Sequence, residues 1–171
     1  MKRKLVSLVL ATAMITSSMV AMPVFASDDT ATEETADEKK DDAADDTEKP
    51  DVDLSDKKVG VCIYQFSDNF MTLFRTELEN YLIELGFSKD NITIQDGAND
   101  QATQSNQIDA FIADGVDLLI INPVNSSSAE SITDKVVAAN IPLVYVNREP
   151  SEDEEKRWED NGWNVTYVGC D

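Results

Sequence analysis

Apolar and polar positions along this chain follow two alternating rhythms. Residues 58–65 are a continuous β-rich run, apolar between Lys58 and Gln65, as expected of a strand buried on both faces. The rhythm then changes. Phe70, Phe74, Leu78 and Leu82 recur every four residues, with Met71 and Leu85 beside them. That spacing predicts a helix over residues 69–85, stopped by Gly86. NITIQ at residues 91–95 alternates as a short strand does. A second helix is expected over residues 100–114, with Ile108, Phe111 and Ile112 on one face and Gly115 as its stop. VDLLII at residues 116–121 reads as another buried strand, closing on Asn122-Pro123. Ser126–Ser128 offer caps to a third helix that runs through residue 140 and carries Ile132, Val136 and Val137. Residues 142–146 form the expected fourth strand, ending at Asn147. An acidic, tryptophan-bearing loop is expected over residues 148–162, and a fifth strand over residues 165–169.

Strand and helix alternate four times across short connections. This is the signature of βαβ units, so the expected class is α/β: a doubly wound parallel sheet with helices on both faces. No internal repeat of fixed period accompanies it.

Composition divides the chain into three parts. Lys2, Arg3 and Lys4 precede an apolar run at residues 5–15, and Val24-Phe25-Ala26 fits a small-residue cleavage site. Residues 1–26 therefore read as a secretory signal peptide, the run being short for a bilayer span. No cysteine lies near the cleavage site to carry a lipid. Residues 27–56 hold 14 acidic residues against 3 lysines. Such a segment buries too little apolar surface to offset chain entropy and is expected to be a disordered linker. Residues 57–171 remain for one modest core. The formal charge of −20 divides into +3, −11 and −12 over the three parts. A folded part at −12 argues against nucleic acid and anionic membrane as partners. Cys62 and Cys170, the two cysteines, are expected to be reduced thiols acting as small apolar residues.

Candidate chemistry gathers at the ends of the strands. The first strand delivers Asp68, Asn69 and Phe70, the third Asn122, and the fourth Asn147, Arg148 and Glu149. Past the second lie Asp96, Asn99, Asp100, Gln104 and Gln107. In open α/β sheets the crevice beyond the C-terminal strand ends is where ligands bind. A carboxylate accepts strong bonds from hydroxyls, a carboxamide both donates and accepts, and a ring packs on the C–H face of a pyranose. Asp68, Asn122 and Phe70 supply one of each. Other readings stay open: Asp68 as a helix cap, Phe70 as the first core residue of its helix, Asn122 as a turn residue, Arg148 and Glu149 as a surface ion pair, residues 152–155 as a solvated acidic loop. Enzymatic constellations are sparse. The chain has no histidine, so no Ser-His-Asp or Cys-His relay is available. QFSDNF carries no glycine-rich phosphate loop, and no cysteine spacing suggests zinc. The chain is therefore expected to bind rather than to catalyse.

IYQFSDNFM, DGANDQATQSNQID, GVDLLIINPV, IPLVYVNREP and YVG, in that order, closely resemble the N-terminal lobe of periplasmic galactose/glucose-binding proteins. These are substrate-binding components of sugar ABC importers with a periplasmic-binding-protein type I fold. The resemblance implies that Asp68 accepts the sugar 4-hydroxyl, that Phe70 stacks on the pyranose, and that Asn122 hydrogen-bonds the sugar. Asn69, Asn147 and Arg148 become shell residues of the cleft. It further implies a galactose- or glucose-type monosaccharide as ligand, an ABC permease or a chemoreceptor as docking partner, a monomeric state, and export to the periplasm or another extracytoplasmic part of the envelope. The resemblance stops at the first lobe. The family's second lobe, with its second aromatic face and its calcium loop, has no counterpart here. The expectation is a partial binding unit with half a cleft, no cofactor and no metal site. A ligand-sensing ectodomain of the same fold is the alternative.

Overall fold

The computed structural model describes residues 52–169. The signal-peptide reading, most of the acidic linker and Cys170 lie outside the described residues. Eleven segments follow in order: β1 (Val59–Ile63), α1 (Asn69–Leu85), a 3-10 turn (Lys89–Asn91), β2 (Ile92–Asp96), α2 (Gln101–Ala113), β3 (Leu118–Ile121), a second 3-10 turn (Ser126–Ser128), α3 (Ala129–Ala138), β4 (Leu143–Val146), α4 (Glu152–Asn161) and β5 (Val165–Val168). The strands form one sheet in the order β2-β1-β3-β4-β5. Every pairing is parallel: Val59 lies beside Ile92 and Leu118, and Leu143 beside Leu119 and Val165. This is the expected α/β class.

The two-residue period of the strands divides the core into two layers. Cys62, Leu119, Ile121, Leu143 and Tyr145 point to one face, where Ile108 and Phe111 of α2, Ile132 and Val136 of α3 and Trp158 of α4 cover them. Val59, Val61, Ile63, Ile120, Val144 and Val146 point to the other, with Met71 and Leu82 of α1. β1, β3 and β4 are buried along their whole length, which is why their sequences read as unbroken apolar runs. Cys62 is a free, buried thiol whose pKa burial pushes up to about 12, consistent with an inert apolar role. Gly60 is the one place in β1 where the layers need a missing side chain. A Cβ there would stand 2.7 Å from Phe111 Cγ.

Helix ends follow local chemistry. α1 spans the residues that its spacing predicts, capped by Asp68 and closed by Gly86 at φ 111°, a left-handed backbone that glycine adopts without strain. The serine caps expected for α3 are displaced. Asn125 caps the preceding 3-10 turn, its Oδ1 accepting from the Ser127 N–H at 3.1 Å, and Ser128 makes no side-chain cap. The serines already lie inside a helical turn, so the capping position moves one residue upstream.

The expected loop at residues 148–162 instead contains α4. Ser151 caps it, four acidic residues occupy its first turn, and Gly162 closes it at φ 62°. Negative charge is favoured at a helix N-terminus. Its core contact is a single large residue, Trp158, stacked 5.4 Å from Tyr145. Glu154 is not solvated. It is buried and accepts from Trp158 Nε1 at 2.6 Å and from Arg157 Nε at 2.8 Å. Burial pushes its carboxyl up, but hydrogen bonds from Arg157, Thr133 and Trp158 outweigh burial and hold it below the usual range.

Two outcomes follow. Gly60→Ala forces the Phe111 ring aside and lowers stability by about 1–3 kcal/mol in urea unfolding. Glu154→Gln lowers stability at pH 7 by about 1–3 kcal/mol, as loss of a charged hydrogen-bonding partner does. Because the folded carboxyl titrates below its unfolded value, its contribution is present above the usual glutamate range and fades as pH falls through the folded pKa. Urea midpoints of the two chains therefore converge in acid.

Candidate functional site

The parallel register brings the C-terminal ends of β1, β3 and β4 together. The Asn122 N–H donates to Cys62 O at 2.8 Å, so β3 and β1 end side by side. From β1 the chain runs through Tyr64 to Asp68 and turns into α1. Both Asp68 oxygens are engaged: Oδ1 accepts from the Met71 N–H at 3.0 Å and Oδ2 from the Tyr64 hydroxyl at 2.6 Å. The Tyr64 bond, then the Met71 bond, hold the carboxyl below its usual range, with the Arg148 charge adding to them. Asp68 is thus a cap, as one reading had it. Each oxygen still has a lone pair to offer.

Phe70 follows in the first turn of α1 and is not a core residue. The residue is 59% exposed, and its ring lies 6.3 Å from that of Phe74. A large ring held open to water at a strand-end crevice is available to a ligand. Asn69 beside it is exposed as well.

Asn122 sits deeper. It is fully buried, its main-chain carbonyl accepts from Gln104 Nε2 at 2.9 Å, and its Nδ2 donates to the Met71 thioether at 2.9 Å. Its Oδ1 is sealed from solvent and has no hydrogen-bond partner. Met71 therefore joins two of the expected residues, through its N–H to Asp68 and its sulfur to Asn122. Arg148 joins the third strand end to the first. Its guanidinium lies 3.9 Å above the Tyr64 ring and its Nη1 donates to the carbonyls of Pro123 and Val124. Asn147 turns the chain at the end of β4 with φ 64°, is exposed, and accepts from the Tyr167 hydroxyl.

The residues past β2 are occupied otherwise. Asp96 Oδ1 accepts from the Phe66 and Ala98 N–H groups. Asp100 caps α2 through the Thr103 N–H at 2.6 Å. Gln104 is fully buried and pins Asn122 and Val124. Gln107 donates to Asp96 O at 2.6 Å. These polar groups build the loops around the crevice rather than line it.

Sequence reasoning missed Tyr64. Its one signal was its place: a ring with a hydroxyl at the end of a buried strand, four residues before the acid. Among the described residues no group of three His, Cys, Asp or Glu side chains is placed to hold a metal. A hollow of about 300 Å³ lies elsewhere, between α4 and β5, lined by Trp158, Trp163 and Tyr167 among others, and contains none of the expected site residues.

Residues 59–171 match the periplasmic binding protein domain family. A D-galactose/methyl-galactoside binding periplasmic protein of Haemophilus influenzae is 34% identical over 117 residues, which are 68% of this chain and 34% of that protein. A putative rhizopine-binding protein of Rhizobium meliloti is 41% identical over 92 residues, 54% of this chain and 29% of that protein. Among solved structures, the periplasmic binding component of the arabinose ABC transporter from Shewanella sp. ANA-3 superposes with a TM-score of 0.57 at 24% identity, over 67% of this chain and 35% of that one. That likeness is one of fold. The chain spans about a third of the length of the relatives it matches.

The Tyr64–Asp68 bond gives a direct check. Tyr64→Phe removes the largest influence lowering the Asp68 carboxyl, so its titration midpoint rises toward the ordinary aspartate value. Carboxyl carbon NMR across the acid range reads this. An unchanged midpoint contradicts the geometry.

Proposed function

This chain belongs to the periplasmic binding protein domain family, and on that footing we propose that residues 57–171 are the sugar-recognising first lobe of an ABC importer's substrate-binding component. The ligand is a monosaccharide of the galactose or glucose type. The observation that carries this reading is the pairing of an exposed ring, Phe70, with a fixed carboxylate, Asp68, at the sheet's C-terminal edge. The ring covers a C–H face of the sugar while the carboxylate takes hydrogen bonds from adjacent hydroxyls. Asn122 lies beneath, its carboxamide sealed from solvent and joined to Met71, and supports the edge from below. Asn69, Asn147 and Arg148 form the surround, with Arg148 bracing Tyr64 rather than facing solvent.

The name of the Haemophilus influenzae relative supports a hexose. The same reading assigns export, capture outside the cytoplasmic membrane, and delivery to a membrane permease or a chemoreceptor. It assigns no chemistry to the lobe beyond binding. One wall of a cleft leaves the far side of the sugar in water, where solvent competes for each bond. The 171-residue chain by itself should therefore hold galactose or glucose with a Kd on the order of millimolar, about 4 kcal/mol of binding.

Calorimetry or NMR titration with both hexoses tests this. Binding is expected in that range and is expected to weaken roughly tenfold in Phe70→Ala, about 1.4 kcal/mol of lost ring contact. Titration that is indifferent to Phe70→Ala overturns the proposal. So does micromolar affinity for a ligand with no hydroxyl pair.

A further inference from the structure

We propose that the hollow between α4 and β5 is a second binding site, one that takes a small organic cation of the alkylated-ammonium class. This site stands apart from the proposed sugar edge: the hollow lies on the sheet face covered by α2, α3 and α4, whereas Phe70 opens α1 on the other face.

The walls follow from local sequence. Gly162 ends α4 in left-handed backbone at φ 62°. The chain turns there and brings Trp163 back beside Trp158, the Trp163 N–H donating to Trp158 O at 3.0 Å. In β5 the two-residue period puts Val165 and Tyr167 on one face, against the same layer. Three aromatic rings and Val165 thereby border a space of about 300 Å³, at the small end of ligand pockets. The rings are fixed by contacts of their own. Trp158 is nearly buried, stacks on Tyr145 at 5.4 Å, and donates from Nε1 to Glu154 at 2.6 Å. The Tyr167 hydroxyl donates to Asn147 O at 3.3 Å. Among the described residues β5 pairs with β4 alone and is half-buried, so the hollow opens at the edge of the sheet.

Charge decides the ligand class. Glu155 and Glu159, one turn apart on α4, border the same space. The helix carries six acids against two bases, and both bases are committed elsewhere: Arg157 to Glu154 and Asp134, Lys156 to Asp160. Glu155 is left among like charges. Burial first, then Glu149, Glu152 and Glu159, push its carboxyl above the usual range. A cation beside it relieves that repulsion.

The rings point the same way. The faces of indole and phenol attract cations, and groups of such rings receive quaternary ammonium ions. The fold already uses this attraction, since the Arg157 guanidinium lies 5.0 Å over the Trp163 ring. An anion would be repelled by the two carboxylates, and a neutral ligand would leave them unmatched. An alkylated ammonium satisfies rings and acids together, and its methyl groups need no hydrogen bonds.

The two tryptophans of the chain both line the hollow, so the intrinsic fluorescence of the 171-residue protein reads the site. Choline is titrated at constant ionic strength up to about 100 mM, beside 3,3-dimethylbutan-1-ol, its uncharged isostere. Choline is expected to shift the emission saturably, with a Kd on the order of millimolar. The isostere is expected to bind about tenfold more weakly, as loss of the cation–ring and cation–carboxylate attractions requires. The double variant Glu155→Gln/Glu159→Gln, with circular dichroism as the check on folding, weakens choline by about fivefold. Phe70→Ala leaves the choline titration unchanged. Absence of a saturable shift overturns the site. Equal binding of the isostere, or a choline affinity unmoved by the double variant, overturns the cationic class. Loss of choline binding in Phe70→Ala places the cation at the strand-end crevice and overturns the assignment to this hollow.

Discussion

The candidate site depends on the parallel pairing of β1 between β2 and β3. That central strand has ladder partners on both sides, and its residues from Val59 to Ile63 are all buried. Its C-terminal end cannot shift without disturbing both neighbours. Tyr64 and Asp68 therefore emerge at a fixed height beside Asn122 of the next strand. The Gly97 N–H to Ile63 O bond at 2.7 Å and the Asn122 N–H to Cys62 O bond at 2.8 Å tie the flanking turns to that end. The convergence of acid, ring and carboxamide is a property of register before it is a property of any side chain.

On this frame a few side chains carry two duties each. Asp68 satisfies an orphan N–H at the start of α1 and also presents negative charge at the rim. Met71 contributes its backbone N–H to Asp68 and its sulfur to Asn122, so α1 is docked to the end of β3 by one residue. Arg148 gives up its freedom as a surface cation to brace Tyr64 and the Pro123–Val124 turn. The result is a wall whose polar groups are oriented by contacts within the lobe; on the proposed sugar-binding reading this reduces the ordering cost of binding. Phe70 stands apart from this network. Its ring lies largely exposed beside Phe74.

Much of this was legible from residue order because the strands are buried on both faces and the helices cover them with four-residue spacing. α1 follows its apolar stripe from end to end, and β1, β3 and β4 differ from expectation only by a residue or two at their edges. α4 was not legible because helix periodicity needs several apolar residues to show, and α4 buries chiefly Trp158. Its stability comes instead from a cap, acidic first-turn charge and the Glu154–Arg157–Trp158 contacts, which have no repeating pattern. Tyr64 was passed over because its bond to Asp68 depends on how the turn after β1 folds, and its ring is held by Arg148, more than eighty positions away. The depth of Asn122 was equally hidden, since a polar residue at a strand end gives no sign of whether it faces the crevice or the layer beneath. Gln104, which buries an entire polar side chain to pin Asn122 and Val124, is a further case.

The most direct measurement of the central claim is a set of intermolecular proton NOEs between galactose and the 171-residue chain with its phenylalanine rings selectively labelled. The account expects contacts from the Phe70 ring to the sugar's ring C–H protons, lost on Phe70→Ala. Contacts to Trp163 or Tyr167 in the hollow between α4 and β5, with none to Phe70, would contradict it.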